Sequence, residues 1–186
     1  MTLPDDGVQS ANLLQNGDAE AGAGGAEPGT LVAIPAWSRD PDSAFNVLQY
    51  AVGELYPDVN TPGSPTRANN YFYGGETSAD EHITQRITLP SDWIGRIDAS
   101  TVRVHASGWF GGYFDQADTI RLTLTFLGAA GTTLGTTQVG DVTVVDRNSL
   151  TAFLYRETAA ALPANTRAID VVLEATHDEG GTVYDT

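Results

Sequence analysis

With 186 residues and 41% hydrophobic side chains, the chain is long enough for one domain with a sizeable core. Nine basic against 24 acidic residues give a formal charge of −15, which repels phosphate backbones and excludes nucleic acid as a natural partner. Cysteine is absent, so disulfides, thiolate metal sites and a cysteine nucleophile are excluded, and no apolar run reaches the length of a membrane-spanning helix.

Residues 1–10 lack the basic region and apolar core of a signal peptide and are expected to form a flexible leader. Residues 11–186 are expected to form a single domain. Asn12–Glu20 predicts a short strand with a turn at Asn16-Gly17, and the glycine-rich residues 21–30 predict a loop. Ile34–Trp37 and Phe45–Tyr50 predict two short strands, with an acidic turn over Ser38–Ser43 between them. Gly53–Asn70 is long, irregular and broken by prolines, and a loop of that length is usually functional or mobile. Tyr71–Tyr73 predicts an aromatic strand that ends at Gly74-Gly75.

The second half alternates more cleanly. Ile83, Ile87 and Leu89 alternate with polar residues over His82–Leu89, the period of a half-buried strand. Pro90–Ile97 has room for one helical turn. Val102, Val104 and Ala106 alternate with Arg103, His105 and Ser107. Ile120, Leu122, Leu124 and Phe126 alternate with Arg121, Thr123 and Thr125. Leu134–Val139 and Leu150–Glu157 predict further strands, and Ile169, Val171, Leu173 and Ala175 predict the inward face of a last one. Regularly spaced strands between Gly, Pro, Asn and Asp turns argue for an all-β fold, an antiparallel β-sandwich or barrel.

Ser107–Asp118 stands apart. It holds Trp109, Phe110, Tyr113 and Phe114 together with Gly108, Gly111, Gly112, Asp115 and Asp118. That is too aromatic for an ordinary solvent loop and too glycine-rich for a regular strand interior. The stretch is expected to connect two core strands.

Asn12-Leu-Leu-Gln-Asn-Gly-Asp-Ala-Glu-Ala-Gly22 resembles the "NLLxNGDFExG" opening of bacterial carbohydrate-binding-module-like domains with the galactose-binding jelly-roll fold. In order there follow Gly74-Gly75 with Gln85-Arg-Ile87, Ser107-Gly-Trp-Phe-Gly-Gly112, Gln116-Ala-Asp118, Thr125–Gly131 with Leu134-Gly135, and Asp170-Val-Val-Leu173. The same series is similar to the glycan-binding domain of sugar-recognising F-box proteins. The resemblance covers most of residues 11–186 and implies a jelly-roll sandwich. It further implies a structural calcium held by Asp18, Glu20 and Asp185, since that cation takes hard oxygen ligands from distant segments. Such domains close on a further strand, whereas this chain stops at Val183-Tyr-Asp-Thr186. The last strand is therefore expected to be truncated, leaving an open edge for self-association or strand donation.

Sugars offer apolar CH faces to aromatic rings and hydroxyls to polar side chains. Trp109, Tyr113 and Phe114 are candidate rings for a glycan, and Asp115 and Gln116 candidate polar contacts, with Tyr56, Tyr71 and Tyr73 able to extend the surface. Trp109 and Phe110 are equally readable as a cap on the sandwich core. His82, His105 and His177 lack zinc-site spacing, no Gly-x-Ser-x-Gly elbow occurs, and carboxylates such as Asp118, Asp146 and Glu157 show no pairing in sequence. The expectation is a non-catalytic, lectin-like carbohydrate-binding module that acts outside the cell or at its surface. The alternative is a structural or assembly domain of a surface, appendage or virion protein.

Overall fold

The computed structural model of the chain describes residues 4–5, 8–50, 52–53, 55–76 and 80–178. In chain order the strands are β1 (Pro4–Asp5), β2 (Val8–Gln9), β3 (Ser38–Arg39), β4 (Asn46–Gln49), β5 (Asn70–Tyr73), β6 (Glu81–Thr88), β7 (Arg103–Gly112), β8 (Thr119–Leu127), β9 (Thr133–Gly140), β10 (Ala152–Ala161) and β11 (Ala168–Thr176). A single 3-10 turn at Ser91–Trp93 runs into the short helix α1 (Ile94–Asp98) between β6 and β7.

Five strands form one antiparallel sheet in the order β3-β6-β11-β8-β9. The β7–β10 and β4–β5 pairs make up the opposing layer. Alternation produces this arrangement directly. In β8, Ile120, Leu122, Leu124 and Phe126 point inward, and in β11, Ile169, Val171, Leu173 and Ala175 meet them from the neighbouring strand. Val104, Ala106 and Phe110 of β7 and Val47 of β4 complete one continuous core. Fully burying side chains such as Ile83, Leu124 and Ile169 stabilises the fold by about 1.5–3 kcal/mol each.

The winding is that of a jelly roll. β6 pairs with β11, β7 with β10, and β8 with β9, so the antiparallel pairs nest and alternate between the two layers. The fold is an all-β antiparallel sandwich, as the second half of the sequence predicts.

The first half departs from its predicted elements. Pro4–Asp5 pairs with Val8–Gln9 within the segment expected to be a free leader. Asn12–Glu20 is a series of turns and not a strand. Ile34–Trp37 turns, and the paired residues are Ser38 and Arg39, within the predicted acidic turn. The reason is visible in the hydrogen bonds. Buried polar side chains, and not a ladder, secure this region. Gln85 on β6 accepts from Gln15 N and donates to Gln15 O and Ala36 O. Asn46 on β4 accepts from Val32 N and donates to Thr30 O and Pro28 O. Each therefore satisfies backbone groups that would otherwise be stranded away from a sheet. Val183–Thr186, the expected site of truncation, lies outside the described residues.

Candidate ligand-binding site

The second correction concerns the aromatic stretch. Its first half is strand: β7 runs unbroken from Arg103 through Gly112 and pairs residue by residue with β10. Only residues 113–118 form the connection to β8. The glycines make room for neighbours. A Cβ on Gly111 would lie 2.4 Å from the carbonyl oxygen of Ala152 and 2.7 Å from the Phe153 ring. One on Gly112 would lie 2.8 Å from the guanidinium of Arg147.

Strand alternation then sorts the rings. Phe110 points into the core, and Trp109 points out with 40% of its surface exposed. Opposite Trp109 in the ladder stands Tyr155, 45% exposed, its ring centroid 5.7 Å away. The Tyr155 hydroxyl donates to Glu157 Oε2 at 2.9 Å, and His105 Nε2 lies 3.1 Å from the same oxygen. The Tyr155 hydroxyl, first, and His105 together hold the Glu157 carboxyl below the usual carboxylate range.

Trp109 also borders a cavity of about 310 Å³. Its apolar wall comes from Tyr50, Tyr71 and Phe153, and its floor from Ile120, Leu122 and Leu173 of the five-stranded sheet. The rings lock together: Tyr50 and Tyr71 have centroids 4.9 Å apart, and Tyr71 and Phe153 stand edge to face at 6.0 Å. Arg67, from the long loop before β5, lies 5.3 Å over the Tyr50 ring. Burial pushes the Tyr50 phenol above its usual range, against the pull of Arg67, and keeps it a donor at neutral pH. Polar groups on the rim are Asp18, Glu20, Ser64, Thr66 and Ser107.

The structure thus divides the predicted ligand residues. Trp109 lies at the cavity. Tyr113, Phe114, Asp115 and Gln116 lie beyond Gly112 and do not line it. Phe114 and Asp115 are exposed, while Tyr113 and Gln116 are half-buried. Tyr113 and Phe114 pack edge to face at 4.7 Å. Arg147, only 2% exposed, holds this turn from below. Its guanidinium donates to Phe114 O, Leu150 O and Gln116 O, each at 2.8 Å.

Of the calcium candidates, Glu20 has a defined structural task. Its Oε1 accepts from Asn69 N at 2.8 Å and Asn70 N at 2.7 Å, and its Oε2 from Asn69 Nδ2 at 3.1 Å. Asp18 Oδ1 accepts from Glu20 N. These bonds leave Asp18 Oδ2 and one lone pair of Glu20 Oε2 for a cation. Asp185 lies outside the described residues. Among the described residues, no three His, Cys, Asp or Glu side chains are grouped to hold a metal.

The remaining candidates for chemistry stand in separate settings. Asp118 is buried with His177 Nδ1 at 3.4 Å from its Oδ1, which also accepts from Asp178 N. Asp146 caps Thr143 and pairs with Arg156. His82 lies 3.4 Å from Asp40.

Sequence reasoning missed Tyr50, Arg67, Phe153 and Tyr155. The signal available was the period-two spacing of Phe153, Tyr155 and Glu157 on a predicted strand. What sequence lacks is the register that sets Tyr155 opposite Trp109.

No family model matches the chain, and no curated protein matches it. Among solved structures it is similar to the enzymatically active domain of tailspike protein 4 of bacteriophage CBA120, at 12% identity and a TM-score of 0.45. That likeness covers 82% of this chain and 19% of the tailspike chain, so this chain spans about a fifth of that protein's length. Among the described residues no helix is long and apolar enough to cross a membrane.

Proposed function

We propose that this protein binds carbohydrate without turning it over, in the cavity bordered by Trp109, in an extracellular or cell-surface setting. The observation that carries the reading is an exposed tryptophan at an aromatic-walled recess with hydroxyl, carboxylate and guanidinium groups on its rim. Rings stack on the CH faces of a pyranose, and the rim groups select its hydroxyls. Glu157, the exposed carboxylate nearest Trp109 along the ladder, is engaged by the Tyr155 hydroxyl and His105, an arrangement that supports a fixed polar contact for a sugar hydroxyl. The non-catalytic part is checked by the expectation that soluble polysaccharide incubated with the protein releases no reducing ends.

A glycan array run with calcium present tests the proposal. Wild-type protein is expected to bind a defined set of glycans. Trp109→Ala is expected to weaken that binding by about tenfold or more, the ratio given by ~1.4 kcal/mol, with its melting temperature retained. Silence on the array, together with concentration-dependent oligomers, favours an assembly module instead.

A further inference from the structure

The cavity does not end the aromatic surface. Trp109 and Tyr155 form one outward-facing pair across β7 and β10, and only Trp109 of the two borders the cavity. Tyr155 is exposed yet fixed in place. Its hydroxyl is bonded to Glu157, and Glu157 is bonded to His105. An exposed ring restrained at its far end loses little freedom when a ligand covers it. Ser107, on the cavity rim, lies opposite Glu157 in the same ladder. Stacking and polar groups therefore continue from the cavity across two strands. The two ring planes are inclined at 58°, so a single flat surface cannot lie on both.

We infer that the ligand is a free, twisted polysaccharide chain, with one unit in the cavity and at Trp109 and the next stacked on Tyr155. The inference rests on the carbohydrate reading above and narrows it. A chain whose successive pyranose rings rotate against one another meets two inclined rings in turn. The planar face of a crystalline polysaccharide does not.

The monosaccharides glucose, xylose, mannose and N-acetylglucosamine and their soluble β-1,4-linked six-unit chains, titrated calorimetrically against the intact protein, test this. In the series that binds, the six-unit sugar is expected to bind at least about tenfold tighter than the one-unit sugar, which reaches Trp109 but not Tyr155. Tyr155→Ala is expected to reduce that ratio to about threefold or less by weakening the six-unit sugar. Tyr155→Phe, which keeps the ring and loses the bond to Glu157, is expected to fall between. Unchanged melting temperatures establish that the exposed substitutions leave the fold intact. Affinity independent of length, or a Tyr155→Ala protein with the full length advantage, overturns the inference while a Trp109→Ala loss keeps the carbohydrate reading. Depletion of the protein by microcrystalline cellulose or chitin without binding to any soluble six-unit sugar also overturns it. No binding to any sugar removes both.

Discussion

Arg147 shows how one side chain can decide the form of a loop. The chain has nine basic residues, all arginine, and among the described residues no carboxylate is bonded to this buried one. It instead gathers the carbonyls of Phe114, Gln116 and Leu150 onto one planar fork. Burial lowers its pKa below the usual guanidinium value, but arginine remains charged at any ordinary pH. Arg147→Lys cannot reproduce the fork. Arg147→Met leaves three carbonyls uncapped, and each that stays buried costs about 1–3 kcal/mol. The same pocket explains Gly112, where a Cβ would lie 2.8 Å from the guanidinium that these three carbonyls hold in place. Gly112→Ala is expected to destabilise the protein by roughly 1–3 kcal/mol. Urea unfolding of Arg147→Met and Gly112→Ala checks this. If Gly112→Ala matches wild type, the guanidinium is not where packing holds it. Neither residue declares this role in sequence, because the contact spans separate segments and depends on burial.

At the scale of elements, what was legible is where apolar and polar residues alternate. β6, β8 and β11 follow that pattern, and α1 falls in the one stretch with room for a helical turn. β7 hides because its glycines and outward rings break the pattern, although the ladder to β10 passes through them. The turns of residues 12–20 hide for another reason. Asn70 donates to Ala19 O and Gly22 O, and Glu20 straps Asn69 and Asn70, so order there comes from side chains distant in sequence. The Asn-Gly-Asp-x-Glu turn is nevertheless where the resemblance implies calcium, through Asp18 Oδ2 and the remaining lone pair of Glu20 Oε2 with Asp185. Under that proposal CaCl2 raises the melting temperature, EDTA reverses the rise, and Asp18→Asn abolishes the response. A melting temperature indifferent to both reagents leaves Glu20 with its hydrogen-bonding task alone.

For the whole molecule, the excess of acidic groups makes the pH response one-sided. Arg86 holds Asp170 in a two-point ion pair, Arg167 does the same for Asp98, and Thr143 with Arg156 holds Asp146. The side-chain bonds from arginine at Asp170 and Asp98, and the Thr143 backbone bond at Asp146, lower these carboxyl pKa values in the folded state. A depressed folded pKa means that the unfolded chain binds protons first as pH falls. The stabilisation is thus fully present above the unfolded aspartate value of about 3.9, and is lost as pH drops through the lower folded values. Asp170 is partly exposed, so its pair with Arg86 is a surface one, contributing about 0–1 kcal/mol near neutrality. Asp170→Asn is therefore expected to lower the urea midpoint modestly at pH 7. Its curve is expected to converge with that of wild type as pH falls through the lowered folded pKa of Asp170, where the parent carboxyl also becomes neutral. A constant gap between the two proteins across the acid range would mean that Asp170 acts through packing, since only an ionised carboxylate gives a difference that protonation removes.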